Sequence, residues 1–288
     1  MNLKKLLICG LAVFTLGACQ QKLEELPSGY LLRVVESKDG TKPTESDAIK
    51  AHVQIELEDS LIVDSREFFP LGRRLAMNNM WPEFKDVLKR IGNGDSVQVT
   101  MSLPEYAKLE GRTLPLKDST LRVTMSLRVL DVDNEASLID KMVREQLRFE
   151  TDLIEAYLIN NNLEAQRTPE GVFYIISKQG EGDFIEKDSD VLANFTLRLL
   201  DGSVLSTTDE ELAKAKGLHD EANIYQPYPF RLKEASLEGW LIGMPKFKKG
   251  SEGTLLIPSR YAFGDKGAGG VIPPNTPVIY DLEIIEIQ

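Results

Sequence analysis

Apolar and polar residues alternate with period two along several stretches of this chain. Ala51, Val53, Ile55 and Leu57 are apolar, while His52, Gln54, Glu56 and Glu58 beside them are polar, as in a strand with one buried face. The alternation returns at Ala193, Phe195, Leu197 and Leu199 against Asn194, Thr196 and Arg198, and again at Val278, Tyr280, Leu282 and Ile284. One long segment has another period. Leu138, Ile139, Met142, Val143, Leu147, Leu153, Ile154, Tyr157 and Leu158 recur mostly at three- and four-residue spacings, which lays an apolar stripe on a helix. Asp133 and Asn134 are its candidate caps, and Asn160-Asn161-Asn162 its stop. Packing within the chain, on either neighbour, is the default use of such a stripe; dimerisation would serve it too.

The strand patterns repeat. Sliding the chain along itself places Gly29 on Gly171, Gly40 on Gly182, Ala51 on Ala193 and Asp59 on Asp201 in one ungapped register. Farther on, Phe84 and Gly94 match Trp240 and Gly250, and Leu121 to Val129 match the closing strand Val278 to Ile287. Chance likeness of two β-rich segments is the alternative, because sheet patterns are easily matched. The expected division is a signal peptide over residues 1–18, a tether over 19–26, a first domain over 27–132, a helical linker over 133–168 and a second domain over 169–288.

The two halves differ where chemistry would sit. The second carries Gly239-Trp240, then Tyr261-Ala262-Phe263-Gly264, a glycine-rich loop, and Val271-Ile272-Pro273-Pro274 before the closing strand. Two adjacent prolines fix φ and remove two donors, so they belong in a loop or at a strand mouth. Taken alone, that segment is a hairpin with a stiff entry. Gly267-Ala268-Gly269-Gly270 leads into prolines rather than a helix, which argues against a phosphate loop. The first half has Phe84 for Trp240, Tyr106-Ala107-Lys108-Leu109 for the Tyr-Ala-Phe-Gly string, and Leu114-Pro115-Leu116 for the Ile-Pro-Pro element.

In this order, Gly239-Trp240, Tyr261 to Gly264 and Val271 to Glu283 resemble the signature of the FKBP-type peptidyl-prolyl isomerases. The resemblance implies an α+β fold: two FKBP-like domains, each an antiparallel β-sheet wrapped on a short α-helix, joined by a helical linker. The first would be a degenerate copy, kept for interaction or spacing. In the second, it implies a proline pocket with Trp240 as floor and Phe195, Tyr228, Phe230, Phe263 and Tyr280 as aromatic wall. Leu205, Leu237, Val271 and Ile272 would fill the gaps, and the backbone N–H of Leu237 would bond a substrate carbonyl. Ordinary core is the competing reading for Phe195, Phe230 and Leu205. Phe195 and Phe263 stand where active members of the family usually carry tyrosine, and Ser206 where they usually carry aspartate, which predicts a weakened enzyme rather than a dead one. The short loop from Gly264 to Val271 lacks the chaperone insert of some members. Between Thr208 and Pro227 lies an acidic insertion, expected at the pocket rim, with Thr208 and Glu211 as a candidate capping box and Gly217 as a helix end.

The amino terminus narrows the setting. Lys4 and Lys5 precede the apolar run Leu6 to Leu16, too short to span a bilayer comfortably and flanked like a secretory signal. Leu16-Gly17-Ala18-Cys19 resembles a bacterial lipobox, which would leave Cys19 lipid-modified at the mature amino terminus. A plain signal peptide with a chance cysteine is the alternative. The chain has 2 cysteines, and Cys9 would leave with the signal, so no thiol remains for a disulfide, metal or nucleophile. With 34 basic and 45 acidic residues, nucleic acid is a poor partner, and anchoring would rest on lipid rather than a polybasic patch. His52 and His219 sit in unrelated contexts, so neither a metal nor a cofactor is expected.

The expected function is therefore prolyl isomerisation at an outer membrane, assisting exported or outer-membrane proteins as they fold. The alternative is a weak or inactive FKBP-like binding module, an accessory lipoprotein subunit of an outer-membrane complex.

Overall fold

The computed structural model describes residues 23–67, 69–111, 120–234 and 237–288. The signal segment, Cys19 and Leu114-Pro115-Leu116 lie outside the described residues.

The first half contributes β1 (Leu23–Glu25), β2 (Leu31–Glu36), β3 (Asp47–Leu57), β4 (Ser60–Asp64), β5 (Arg73–Ala76), α1 (Pro82–Leu88), β6 (Ser96–Ser102), α2 (Leu103–Leu109) and β7 (Arg122–Asn134). The helix α3 (Glu135–Asn160) follows. The second half contributes β8 (Gln166–Arg167), β9 (Phe173–Lys178), β10 (Glu181–Phe184), β11 (Asp190–Leu199), β12 (Val204–Thr207), α4 (Glu210–Ala215), β13 (Tyr228–Arg231), α5 (Glu238–Gly243), β14 (Lys248–Lys249), β15 (Glu252–Ile257) and β16 (Val278–Ile287).

The strands of the first half form one antiparallel sheet in the order β1-β2-β6-β7-β3-β4, with β5 also on β3. The second sheet runs β12-β11-β16-β15-β9-β8, with β13 on β11. Read from opposite ends, these are the same order. The irregularities correspond too: pairing with the closing strand slips between Lys50 and Ala51 in one sheet and between Leu192 and Ala193 in the other. Gly94 donates to the Val129 carbonyl, and Gly250 to that of Ile284.

Each sheet curls over a short helix because one face of every long strand is apolar. Ile49, Ala51, Val53 and Ile55 bury against Phe84, Val87 and Leu88; Val191, Ala193 and Leu197 bury in the cluster that holds Trp240 and Met244. Helix α3 spends its stripe on both halves. Leu138 packs with Ala48 and Ala76, and Ile154 and Leu158 pack with Phe173, Leu256 and Ile279. Ile139 and Leu153, on the stripe's margin, stay exposed. Asn134 caps the helix by accepting from the Ala136 N–H, and Asn161 closes it.

Several expected details are corrected. Residues 23–25, placed in a tether, form β1 against β2, and Leu26 is buried. The closing strand of the first sheet begins at Arg122 rather than Leu121 and runs to Asn134, while Gln166 and Arg167, assigned to the linker, pair with β9. The cap of α4 is Asp209, whose carboxylate accepts from the Leu212 N–H. Thr208 is drawn instead to β11, where its hydroxyl oxygen accepts from the Phe195 N–H. Tyr106-Ala107-Lys108-Leu109 is helical, in an α2 started by a capping box between Ser102 and Glu105. Gly40 and Gly182 match in sequence but not in role: a Cβ on Gly40 would lie 2.1 Å from the Asn93 oxygen, whereas the matching close approach in the second half falls at Gly180, 2.2 Å from the Lys249 oxygen.

Ile154 is fully buried where α3 meets the second sheet. Ile154→Ala is expected to cost about 2–5 kcal/mol of stability, read as a lower urea midpoint by tryptophan fluorescence.

Candidate active site

Helix α5 is short and sits hard against the sheet. A Cβ on Gly239 would lie 2.3 Å from Ile257 Cγ2 and 3.0 Å from the Tyr261 oxygen, and one on Gly243 would lie 2.6 Å from Leu255 Cδ2. Real Cβ atoms do not approach so closely: at Gly239 a side chain would meet backbone as well as Ile257, whereas at Gly243 the Leu255 side chain alone would have to yield. Trp240 follows Gly239 directly and is carried into the concave face of the sheet, 7% exposed.

Four aromatic side chains surround it or extend the wall. The Trp240 ring centroid is 4.7 Å from that of Phe230, 5.2 Å from Tyr280 and 6.1 Å from Phe195. Phe195 is 5.8 Å from Tyr280 and edge-on to Tyr228 at 6.0 Å, and Tyr228 stacks on Phe230 at 6.1 Å. These are the edge-to-face and offset arrangements that aromatic quadrupoles favour. Strand alternation explains the assembly: Phe195 on β11, Tyr280 on β16 and Phe230 on β13 all face the helix, and β11 lies between the other two strands. Tyr228 is 49% exposed and forms the rim. Burial pushes the Tyr280 hydroxyl far above the usual tyrosine range, so it stays neutral. Trp240 Nε1 is buried with no hydrogen-bond partner among the described residues. Such a deficit costs about 1–3 kcal/mol and would be relieved by any acceptor that reaches it.

The loop segments complete the wall. Leu237 is the N-cap of α5, and Leu205, Leu237 and Phe263 pack half-buried against the same cluster. Ile272 is buried in it, held by a two-way bridge: the Ala268 N–H donates to the Ile272 carbonyl and the Ile272 N–H to that of Ala268. Gly267 makes the loop possible, since its φ is +65° and a Cβ would stand 2.0 Å from the Ile272 oxygen. Phe263 rides on a turn in which the Gly264 N–H donates to the Ser259 carbonyl and the Asn275 N–H to that of Gly264.

Two expected members are placed differently. Val271 is 60% exposed and lies outside the apolar cluster, because the Ala268–Ile272 bridge turns its neighbour inward instead. Ser206 is exposed on β12 opposite Leu197. The insertion expected at the rim also covers other ground: Asp209, Tyr225, Gln226 and Pro227 line a polar cleft of about 530 Å³ with Asn194, Thr196, Asp281 and Glu283, residues of the outward-facing positions of β11 and β16.

One contact escaped the sequence reading. Glu150, on α3, is 1% exposed and accepts from Ser259 N–H (2.5 Å), Ser259 Oγ (2.6 Å) and Gln146 Nε2 (2.7 Å). Its burial raises its pKa above the usual carboxylate range, with the Ser259 and Gln146 bonds opposing. The signal was available: Glu150 interrupts the apolar stripe between Leu147 and Ile154.

The chain is similar to known proteins of one family. A family model described as FKBP-type peptidyl-prolyl cis-trans isomerase matches residues 182–285. A protein of Haemophilus influenzae named as a probable FKBP-type peptidyl-prolyl cis-trans isomerase is 24% identical over 235 residues, 82% of this chain and 90% of that protein. FK506-binding protein 1 of Dictyostelium discoideum is 31% identical over 119 residues, 41% of this chain and 99% of its own. Among solved structures, that of FkpA from Escherichia coli aligns at 20% identity over 64% of this chain and 79% of its own, with a TM-score of 0.39.

Alanine is a better helix former than glycine by roughly 1 kcal/mol, yet at Gly239 the clash with Ile257 and the Tyr261 carbonyl outweighs that gain. Gly239→Ala is expected to lose about 1–3 kcal/mol by overpacking and to alter the near-ultraviolet circular dichroism of the aromatic cluster.

Proposed function

The chain belongs to the FKBP-type peptidyl-prolyl cis-trans isomerase family and is an isomerase of that type; from that premise we propose that its second half is the catalytic unit, anchored at an outer membrane through lipid on Cys19, and that its substrates are X-Pro bonds of exported or outer-membrane proteins. The observation that carries the site assignment is the seating of Trp240 beneath Phe195, Phe230 and Tyr280.

The reaction explains why such a site suffices. Rotation about an X-Pro amide breaks resonance against a barrier of roughly 18–20 kcal/mol. No proton moves and no covalent intermediate forms, so catalysis requires only that the twisted amide be bound better than either planar form. The twisted amide has less charge separation, and an apolar wall favours it. Trp240, Ile272 and Tyr280 supply that wall, with Phe195, Phe230, Phe263 and Leu205 around them and Tyr228 at the mouth. The Leu237 N–H, at the start of α5, is assigned to a substrate carbonyl. Ser206 is assigned to the rim.

The clients follow from the setting. Uncatalysed X-Pro isomerisation takes tens to hundreds of seconds and limits folding, so a lipid-held isomerase would act on chains that fold after export. Anchoring at Cys19 rests on the lipobox-like Leu16-Gly17-Ala18-Cys19 string. The first half is assigned to interaction or spacing, within an outer-membrane complex where one exists. Non-aromatic residues stand at the matching wall positions: Val53 pairs through β3 and β7 where Phe195 pairs through β11 and β16, and Leu75 and Arg73 stand on β5 where Phe230 and Tyr228 stand on β13.

Isomerisation of a short X-Pro peptide by the chain from Gln20 onward, followed by NMR exchange, tests the catalytic assignment. The wild type should accelerate exchange, and Trp240→Ala should lose about tenfold or more, each tenfold corresponding to about 1.4 kcal/mol; equal rates in a folded variant would refute the pocket. Phe263→Tyr restores a hydroxyl donor, and with a net hydrogen bond of about 0.5–1.5 kcal/mol it should raise the rate about two- to tenfold. For the anchor, Cys19→Ser should move the protein from the membrane to the soluble fraction on cell fractionation.

A further inference from the structure

Glu150 takes no part in the reaction, yet it is a carboxylate with almost no solvent and no ion-pair partner among the described residues. Both of its oxygens are committed. Oε2 accepts from the Ser259 N–H, and Oε1 accepts from the Ser259 hydroxyl and from Gln146 Nε2. Ser259 itself is 2% exposed. It opens the turn Ser259–Tyr261, and its carbonyl receives both the Ala262 and the Gly264 N–H. The segment that presents Phe263 to the pocket is thus built on one residue, and that residue is gripped at two atoms from the helix joining the halves. A second tether fixes the other side of the turn, where the Tyr261 hydroxyl donates to the Glu170 carbonyl.

A merely cohesive contact at this place would not need a charge. Burying an unpaired carboxylate costs several kcal/mol, and an apolar pair of the same shape is often as stable. What a charged acceptor supplies is short, directional bonds to N–H and O–H groups, roughly twice as strong as neutral ones. Helix α3 is itself pinned to the first half: Leu138 packs on the first sheet and the Lys50 ammonium pairs with Glu145.

We infer that Glu150 is a positioning residue of the isomerase: through Ser259 it sets the Tyr261–Phe263 wall of the pocket, and it makes the interdomain helix a working part of the catalytic unit. The inference rests on the isomerase reading above. It also makes an unusual demand on pH. A reaction without proton transfer has no acid or base of its own to titrate, so a fall in rate on acidification reports the scaffold. Neutral Glu150 loses one acceptor and gains a donor, and the Ser259 grip loosens. The other charged groups lining the cleft beside Glu150 are Lys50, Arg73 and Arg74 of the first half, Glu145 of α3, and Arg260 and Asp265 of the loop. Substitution at Glu150 separates its effect from theirs.

The test uses the full chain, with peptide exchange rates measured between neutral and mildly acidic pH. Glu150→Gln resembles the protonated side chain in shape and hydrogen bonding. It should show a pH-independent rate near that of acidified wild type, about three- to tenfold below wild type at neutral pH, the loss expected of one charge-assisted bond. Ser259→Ala should lose a similar factor, and the double variant no more than the larger single loss, since both act through one contact. A Glu150→Gln variant with the wild-type rate and the wild-type pH wave would overturn the inference, as would additive losses in the double variant. The NMR resonance of the Trp240 indole N–H is the second readout, followed with pH in wild type and Glu150→Gln. A pH-dependent shift present only in wild type supports positioning even if no peptide exchange were detected, whereas identical titrations in both would overturn it. Failure of wild type to accelerate exchange would instead count against the isomerase reading itself.

Discussion

Everything about the pocket depends on how close a short helix can come to a sheet. At Gly239 and Gly243 the absence of a side chain lets α5 settle onto Ile257 and Leu255, and the depth so gained carries the Trp240 ring among Phe230, Tyr280 and Phe195. The first half has the same strand order around a comparable helix. There Glu83 precedes Phe84, and Val87 stands on the turn that follows. That helix packs Phe84, Val87 and Leu88 into the core of its own sheet. The two glycines of α5 thus have side-chain-bearing counterparts in α1.

The aromatic wall as a set came from the resemblance carried by Gly239-Trp240, Tyr261 to Gly264 and Val271 to Glu283, while strand alternation alone placed two of its members. Phe195 and Tyr280 could be assigned to an inward face before any coordinates, and the register of β11 on β16 brings them together. Val271 was misplaced because loop residues have no period. Its orientation is set by the Ala268–Ile272 bridge and by a glycine at φ +65°, which adjacency to Ile272 does not reveal. The cap of α4 was off by one residue for a related reason: Thr208 and Asp209 are both good caps, and the competition was decided by a strand, β11, that offered Thr208 another partner. Gly40 shows the limit of an ungapped register, since the backbone approach it permits is served two residues away from its sequence match in the other half.

Glu150 illustrates what pattern reading discards. A polar residue on an apolar stripe is easily taken as noise in the periodicity, yet it is where the helix stops being packing material and starts to hold a particular atom. The stripe itself divides: Leu138 serves one sheet, Ile154 and Leu158 the other. Residues at the margin, such as Ile139 and Leu153, are exposed and account for the breadth of the predicted stripe. Only the three-dimensional neighbours distinguish these roles, because Ser259 is far from Glu150 in sequence.

An enzyme that moves no proton places unusual weight on shape. A pocket that works by fitting a twisted amide loses its advantage as its walls shift. That is a physical reason for a catalytic half to be braced from outside itself. Here the bracing element is the same helix that connects to the first half, so the position of the Phe263 wall and the attachment of the two halves share one set of contacts: Lys50 with Glu145, Leu138 with Ala48, and Glu150 with Ser259. If Glu150 positions the Phe263 wall, the first half bears on catalysis through the stiffness of the helix it holds, without touching the substrate, although it has no aromatic wall of its own among the described residues.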